Sequence, residues 1–152
     1  MPKATDLAGL EAALAMAAAR VGQRAILERE ARKVQASARG FIGQHEAMKP
    51  RAEGPFPAWA DLAQSTKDDK GRKGLPSTEM LKRTGELQAS IRKRVDDDGF
   101  VVGSDDPKAI HQEFGTAKIP ARSFLGRAMH RHSQGVARAL GNGAVEAIKG
   151  GR

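Results

Sequence analysis

Histidine and acidic side chains are the residues of this 152-residue chain that could support catalysis or bind a metal. The four histidines are His45, His111, His130 and His132. His130 and His132 stand two residues apart in a predicted helix, so they point about 200° away from each other and cannot chelate one ion well. We therefore expect His132 to pack in the interior and His130 to face solvent.

His111 precedes Glu113 by two residues, which suggests a general base with a carboxylate to orient it. Residues i and i+2 do not meet on a helix, however, and no nucleophile or oxyanion-binding loop is nearby. The run 96–98, three aspartates, stands at a predicted hairpin tip, where turn chemistry explains it better than a two-metal nuclease site. The chain has no cysteine and no phosphate-binding glycine loop. The sequence thus predicts no catalytic residue, metal site or cofactor.

The net charge is +8, spread as +3 over residues 1–50, +1 over 51–104 and +4 over 105–152. No dense basic block and no helix-turn-helix, zinc-finger or RNA-binding signature accompanies this excess. A small nucleic-acid-binding accessory protein that uses its basic ends is still the alternative interpretation.

No apolar run approaches the roughly 18–20 residues of a membrane span, and acidic residues interrupt the Ala-rich start. We expect a soluble, cytoplasmically made protein.

The first element of the predicted fold is a long N-terminal helix over residues 6–46. An apolar stripe recurs at helical spacing as Leu7, Leu10, Leu14, Ala17 and Val21, and then as Leu27, Ala31, Val34, Ala38 and Phe41. The spacing of six between Val21 and Leu27 predicts either a kink near Gly22 or two halves with different neighbours. A helix of this length spans roughly 60 Å, more than the diameter of about 40 Å of a globule this size. We expect other subunits to cover part of it.

The remaining chain predicts an α+β fold in a single domain, 1–152. Residues 49–79 are rich in proline and glycine and are predicted as an extended flexible loop, with a helical turn at 57–65 and a flexible excursion at 66–74. A β-rich core at 80–122 contains a hairpin with strands at 90–95 and 100–103. A C-terminal helix, 123–149, capped by Ser123 and interrupted at 141–143, is predicted to pack on the small antiparallel sheet.

Residues 81–126 carry a series of short motifs that is more informative about the family than the overall composition is. It contains, in order, Leu81-x-x-Thr84-Gly85-x-Leu87-x-x-Ser90-Ile91, Val102-Gly103-Ser104, Ile110-His111-Gln112-x-Phe114-Gly115 and Ile119-Pro120-Ala121-Arg122-x-Phe124-Leu125-Gly126. Upstream lies Trp59-x-x-Leu62-x-x-Ser65-Thr66. This series resembles the tail-completion, or head–tail joining, proteins of tailed bacteriophages, a group also called virion morphogenesis proteins.

The resemblance implies a non-enzymatic structural subunit of the virion, made in the bacterial host and placed at the neck or the head-proximal tail end. It implies a homo-oligomer, commonly a ring, that contacts head-connector and tail-terminator or tail-tube proteins and meets DNA in the channel without sequence specificity. Such genes also occur in prophages and gene transfer agents. The resemblance assigns assembly or packing roles to Trp59, Leu62, Leu81, Thr84, Gly85, Leu87, Ile91, Gly103, His111, Phe114, Gly115, Ile119, Pro120, Arg122, Phe124 and Leu125.

Two of these roles are more specific. Arg122 is expected to dock a carboxylate or carbonyl just before the C-terminal helix, or else to lie exposed beside two core residues. Those neighbours, Phe124 and Leu125, are expected to anchor the C-terminal helix to the sheet.

Overall fold

The computed structural model describes residues 7–149 and has the predicted α+β architecture. A long N-terminal helix, a two-stranded antiparallel hairpin and a long C-terminal helix are its main parts. Its elements are α1 (Leu7–Phe41), α2 (Gln64–Arg72), α3 (Glu86–Ser90), β1 (Ile91–Val95), β2 (Phe100–Ser104), α4 (Pro107–Phe114) and α5 (Leu125–Lys149). A short 3-10 turn, Glu46–Met48, follows α1.

Helix α1 continues through Gly22 as one helix, so its two halves differ in their surroundings rather than being separated by a kink. The C-terminal half enters the core through Leu27, Ala31, Val34, Ala38 and Phe41. Residues 14–25 are exposed. The Thr5 or Asp6 cap lies outside the described residues.

Helix α1 ends at Phe41, before the predicted residue 46, because the following backbone pairs with another segment. The Gly43 amide donates to the Met80 carbonyl at 2.8 Å, and the Met80 amide donates to the Gln44 carbonyl at 2.9 Å. A long-range backbone pairing thus replaces the last predicted turn of the helix.

The hairpin packs against the C-terminal half of α1. Its strands pair from Ile91 with Ser104 to Val95 with Phe100, and the turn closes with the Asp96 amide donating to the Gly99 carbonyl at 3.0 Å. Ile91 is fully buried, and side chains alternate between α1 and solvent along β1, as the period of a half-buried strand requires.

Segment 49–79 contains a helix that the sequence did not predict. Residues 57–63 are irregular where a helical turn was expected, and α2 occupies most of the expected excursion 66–74. Helix α2 has no apolar residue; side-chain pairs one turn apart stabilise it, from Gln64 to Asp68 and from Lys73 to Asp69. Lys70 fixes it to the body, as described below.

The core is built where α1, the hairpin and the start of α5 meet. Phe124, just before α5, and Ala128 of α5 share one buried cluster with Ile91 of β1, which is how the C-terminal helix contacts the sheet. The longer contact of α5 is with α1, and α5 continues through residues 141–143, where an interruption was predicted. Gly143 lies against Ile26 of α1, so helix packing outweighs the poor helix propensity of this segment. Within residues 7–149, no helix is long and apolar enough to cross a membrane.

Candidate functional site

The motif residues of the sequence separate into a buried group and a group around an open cleft. Trp59, Leu87, Ile91 and Phe124 are buried in the core, and Leu125 packs against it. Eight motif residues line one cleft of about 630 Å³: Leu62, Leu81, Thr84, Gly85, Leu87, Ile119, Pro120 and Arg122. The motif series therefore specifies both a core and a surface that this core supports.

Trp59 fixes the irregular segment 49–63 to the helices. Its ring is buried and lies 6.0 Å, centroid to centroid, from the ring of Phe41 in α1. Its indole Nε1 donates to the Ser123 carbonyl at 3.2 Å, so one side chain connects α1 to the segment that leads into α5.

Arg122 is buried and docks on carbonyl oxygens, which is one of the two kinds of acceptor expected for it. Its guanidinium donates to the carbonyls of Ala60, at 3.2 Å, and Asp61, at 2.9 Å. Its backbone amide donates to the Gln112 carbonyl at 2.6 Å, which joins α4 to the start of α5. Burial lowers the pKa of Arg122. The expected alternative, an exposed arginine, is wrong because its side chain is only 6% exposed.

Glu113 caps α5, which the sequence did not reveal. Its carboxylate accepts hydrogen bonds from the amides of Phe124, Leu125 and Gly126 at 2.8–2.9 Å and from the Ser123 hydroxyl at 2.5 Å. A carboxylate at a helix N-terminus satisfies orphan amides and complements the helix dipole. Ser123, predicted as the cap, instead donates to the group that provides it. The cap lies twelve residues away in sequence, beyond the reach of a local capping pattern.

Two glycines make this junction possible. A Cβ on Gly126 would lie 2.9 Å from a Glu113 carboxylate oxygen and 3.0 Å from the Phe56 ring. Gly115 ends α4 with a φ of 74°, and a Cβ there would lie 2.8 Å from the Ala121 amide nitrogen. Both positions therefore require the absence of a side chain.

Arg127 and Glu53 hold the loop 50–58 on α5. Arg127 is completely buried and donates to the carbonyls of Arg51 and Pro57 at 2.8 and 2.6 Å. Burial lowers its pKa, and the Glu53 carboxylate lies 3.6 Å away. Glu53 also accepts two hydrogen bonds from Arg131, at 2.6 and 3.0 Å. Neither arginine was singled out from the sequence, because an arginine on a helix is ordinarily exposed.

The cleft combines an apolar wall with a rim that carries cationic side chains. Leu62, Leu81, Leu87, Ile119 and Pro120 form the wall. Six cationic side chains line the cleft against two acidic ones, Asp61 and Glu86. The cations are Lys70, Lys82, Arg83, Lys108, Lys118 and Arg122. Lys70 and Arg122 are buried on carbonyl oxygens, and Lys82, Arg83 and Lys108 pair with the acidic side chains of Glu79, Asp69 and Glu86. Lys118 forms no ion pair with any described residue.

Two polar groups besides Arg122 are buried at the cleft. Lys70 is only 3% exposed, and its ammonium donates to the carbonyls of Pro76 and Glu79. Desolvation lowers the pKa of this lysine. The side-chain oxygen of Gln112 is buried and accepts no hydrogen bond from the described part of the chain. A buried acceptor without a donor costs free energy until a donor reaches it.

The histidines form no common site. His45 caps the 3-10 turn by accepting from the Ala47 amide at 3.2 Å, and His111 is exposed. His130 is exposed and meets the edge of Phe56, while His132 is half-buried rather than in the interior. Among residues 7–149, no three histidine or acidic side chains are grouped to hold a metal ion.

The remaining motif residues stand outside the core. Phe114 is 77% exposed, so it packs little against the described residues. Gly103 pairs with Arg92 in the hairpin. Thr84 accepts a long hydrogen bond of 3.5 Å from the Glu86 amide at the start of α3.

A second candidate surface is the apolar stripe on the N-terminal half of α1. Leu14 and Val21 are 61% and 71% exposed. At about 100° per residue, the stripe 7–21 is rotated by about 120° from the core-facing stripe 27–41. The α1 residues that face the end of α5, Ala19, Gly22 and Ile26, lie on average about 120° away from Leu14 and Val21. Its described part, residues 14–21, is thus a separate face that α5 does not cover.

Together these features define a small α+β fold with exposed apolar side chains on α1 and a partly apolar cleft with cations at its rim. The family model of the phage virion morphogenesis family matches residues 44–140. This chain belongs to that family, which confirms the resemblance seen in the motif series and gives the chain a role in phage virion assembly. No curated protein and no solved structure gives a significant match.

Proposed function

We propose that this chain is a non-enzymatic structural subunit of the head–tail junction, at the neck or at the head-proximal end of the tail. It associates with its own copies and contacts head-connector and tail-terminator or tail-tube proteins. Membership of the virion morphogenesis family supports the assembly role. The likeness of the motif series to tail-completion and head–tail joining proteins supports the place in the particle.

The observation that carries the proposal is the uncovered apolar stripe of α1. Leu14 and Val21 are mostly exposed, and the helix extends well beyond the core that holds its other half. Each large apolar side chain moved out of water stabilises an association by roughly 1.5–3 kcal/mol, before the costs of ordering. Neighbouring subunits that cover this stripe would therefore gain stability from it.

The test is complementation of particles that lack this subunit, with the chain supplied in trans. We expect the wild-type chain to restore joined, infectious particles and the double variant Leu14→Glu, Val21→Glu to fail while remaining folded. The matched control Gln134→Glu, Ala137→Glu adds the same two charges on exposed positions of α5 and should complement. Infectious particles formed without the chain would contradict the proposal, as would full complementation by the stripe variant.

The alternative, a small basic nucleic-acid-binding protein, makes a different prediction. A free DNA binder of this charge loses affinity steeply as salt is raised. An assembly subunit has little DNA affinity outside the particle, and its basic surface serves a protein contact or DNA passing through a channel. Tight, salt-sensitive DNA binding by the purified chain would favour the alternative.

A further inference from the structure

The hairpin tip and the basic cleft have opposite charge and lie at different places on the same chain. Asp96, Asp97 and Asp98 at the tip are exposed. Asp97 has one ion pair, with Arg24 at 3.4 Å, and Asp96 approaches Arg94 only at 3.9 Å. Both pairs are between exposed side chains, so they contribute little and are easily exchanged for other partners.

The cleft has the complementary character. Lys118 at its rim is exposed and forms no ion pair with any described residue. The ion pairs of Lys82, Arg83 and Lys108 are between side chains that are partly or mostly exposed, so these cations are also available to an acidic partner. Val101, 56% exposed beside the tip, supplies an apolar side chain for the cleft wall.

The topology prevents a chain from filling its own cleft. Leu87 of α3 lines the cleft, and β1 begins directly after α3 at Ile91. The five residues of β1 extend away from that point by about 17 Å, and the tip follows at their far end. The tip therefore reaches only the cleft of another copy.

We propose that the acidic hairpin tip of one subunit docks in the basic cleft of the next copy of this chain. The proposal rests on the proposed function and specifies its subunit contact. A contact between two different patches of identical chains is heterologous, and it closes into a ring when the rotation per subunit allows. Charge complementarity sets the register of neighbouring subunits and excludes wrong pairings.

Cross-linking within particles tests the contact. Because the chain contains no cysteine, the variant Asp98→Cys, Lys118→Cys has only its two introduced thiols. Treated with a short bis-maleimide, particles that contain it should yield a ladder of covalent multimers of the chain. The matched pair Asp98→Cys, Arg138→Cys, which moves one thiol to exposed α5, should yield no ladder, and neither single variant should extend beyond dimers.

A charge swap gives a second, independent readout. The variant Asp96→Lys, Asp97→Lys, Asp98→Lys should lower particle titre by about tenfold or more, because like charges would then meet at the contact. Adding Lys108→Glu and Lys118→Glu on the same chain should restore much of the titre. Asp105→Lys, at the other end of the hairpin, is the control for a change of charge alone.

The outcomes separate this contact from the proposed function. Infectious particles that contain the cysteine variant but give no ladder would overturn the contact and leave the assembly role intact. Cross-linking of the Lys118→Cys thiol to a different virion protein would overturn it as well, since the cleft would then have another occupant. Absence of the chain from purified particles would overturn both the contact and the proposed function.

Discussion

The two halves of α1 have the same kind of apolar periodicity, but one half is buried and the other is exposed. Residues 27–41 bury their stripe against Trp59, Met80 and the hairpin. Residues 14–25 carry a similar stripe, rotated around the helix, and leave it in solvent. The difference shows that periodicity specifies a face, whereas burial depends on whether the rest of the chain reaches that face. The C-terminal half, residues 27–41, stabilises the fold. The N-terminal half carries the proposed assembly contact.

The largest expected difference comes from truncating a side chain that packs on the buried half of α1 and one that belongs to its exposed half. Trp59→Ala removes a buried ring and its hydrogen bond to Ser123, and we expect it to lower the free energy of unfolding by about 3–5 kcal/mol. Leu14→Ala removes an exposed side chain and should change the free energy by less than about 0.5 kcal/mol. Urea denaturation followed by circular dichroism measures both. Equal losses would mean that the two halves are equally part of the fold.

Two glycine substitutions sharpen the same contrast. Gly126→Ala places a methyl group 2.9 Å from the Glu113 carboxylate, and we expect destabilisation of about 1–3 kcal/mol. Gly22→Ala meets no atom within 4 Å, so the higher helix propensity of alanine should stabilise the chain by up to about 1 kcal/mol. Thermal unfolding gives the signs. Stabilisation by both substitutions would contradict the packing described at the start of α5.

The cap of α5 is expected to have a smaller effect. Glu113→Gln keeps the shape of the side chain but removes its charge and one strong acceptor, and it should cost about 1–2 kcal/mol. Glu11→Gln, an exposed position in the N-terminal half of α1, is the control and should be neutral. Hydrogen exchange of the first amides of α5 localises the effect. Unchanged protection of these amides in Glu113→Gln would show that the carboxylate does not hold them.

The smallest expected effect is the dependence of stability on pH through Glu53. The hydrogen bond from Arg131 lowers the pKa of Glu53 below its usual value of 4.5. A carboxyl with a lowered pKa in the folded state contributes stability above its unfolded pKa and loses it as pH falls through the folded value. We therefore expect the wild-type chain to lose stability below about pH 4.5 more steeply than Glu53→Gln. Thermal melts at a series of acidic pH values measure this, and parallel pH profiles would contradict it.

The sequence predicted the elements whose signal is local. The long helix, the hairpin with its turn at 96–99 and the C-terminal helix follow from period and turn chemistry. Helix α2 was not predicted, because its segment has no apolar residue and therefore no helical periodicity. The burial of Lys70 could not be predicted either, because it depends on carbonyls that only the tertiary fold supplies. The motif series identified residues of the cleft, but their convergence on one surface depends on contacts across the chain.

The residues that the sequence missed share one property. Glu113, Arg127 and Glu53 are charged, and each acts on a partner distant in sequence. Charged side chains are mostly exposed, so composition alone favours a solvated position for each of them. Phe114, to which the resemblance assigns an assembly or packing role, is 77% exposed, and its role stays a prediction.

The central claim, that neighbouring subunits cover the exposed half of α1, is tested most directly by thiol labelling. Because the chain contains no cysteine, Leu14→Cys reports on this surface alone, and Leu27→Cys serves as a buried reference. We predict that the thiol at position 14 reacts with maleimide at once in the free subunit and is protected in the assembled particle, while position 27 is protected in both. Equal, rapid labelling of position 14 in the free subunit and in the particle would contradict the account.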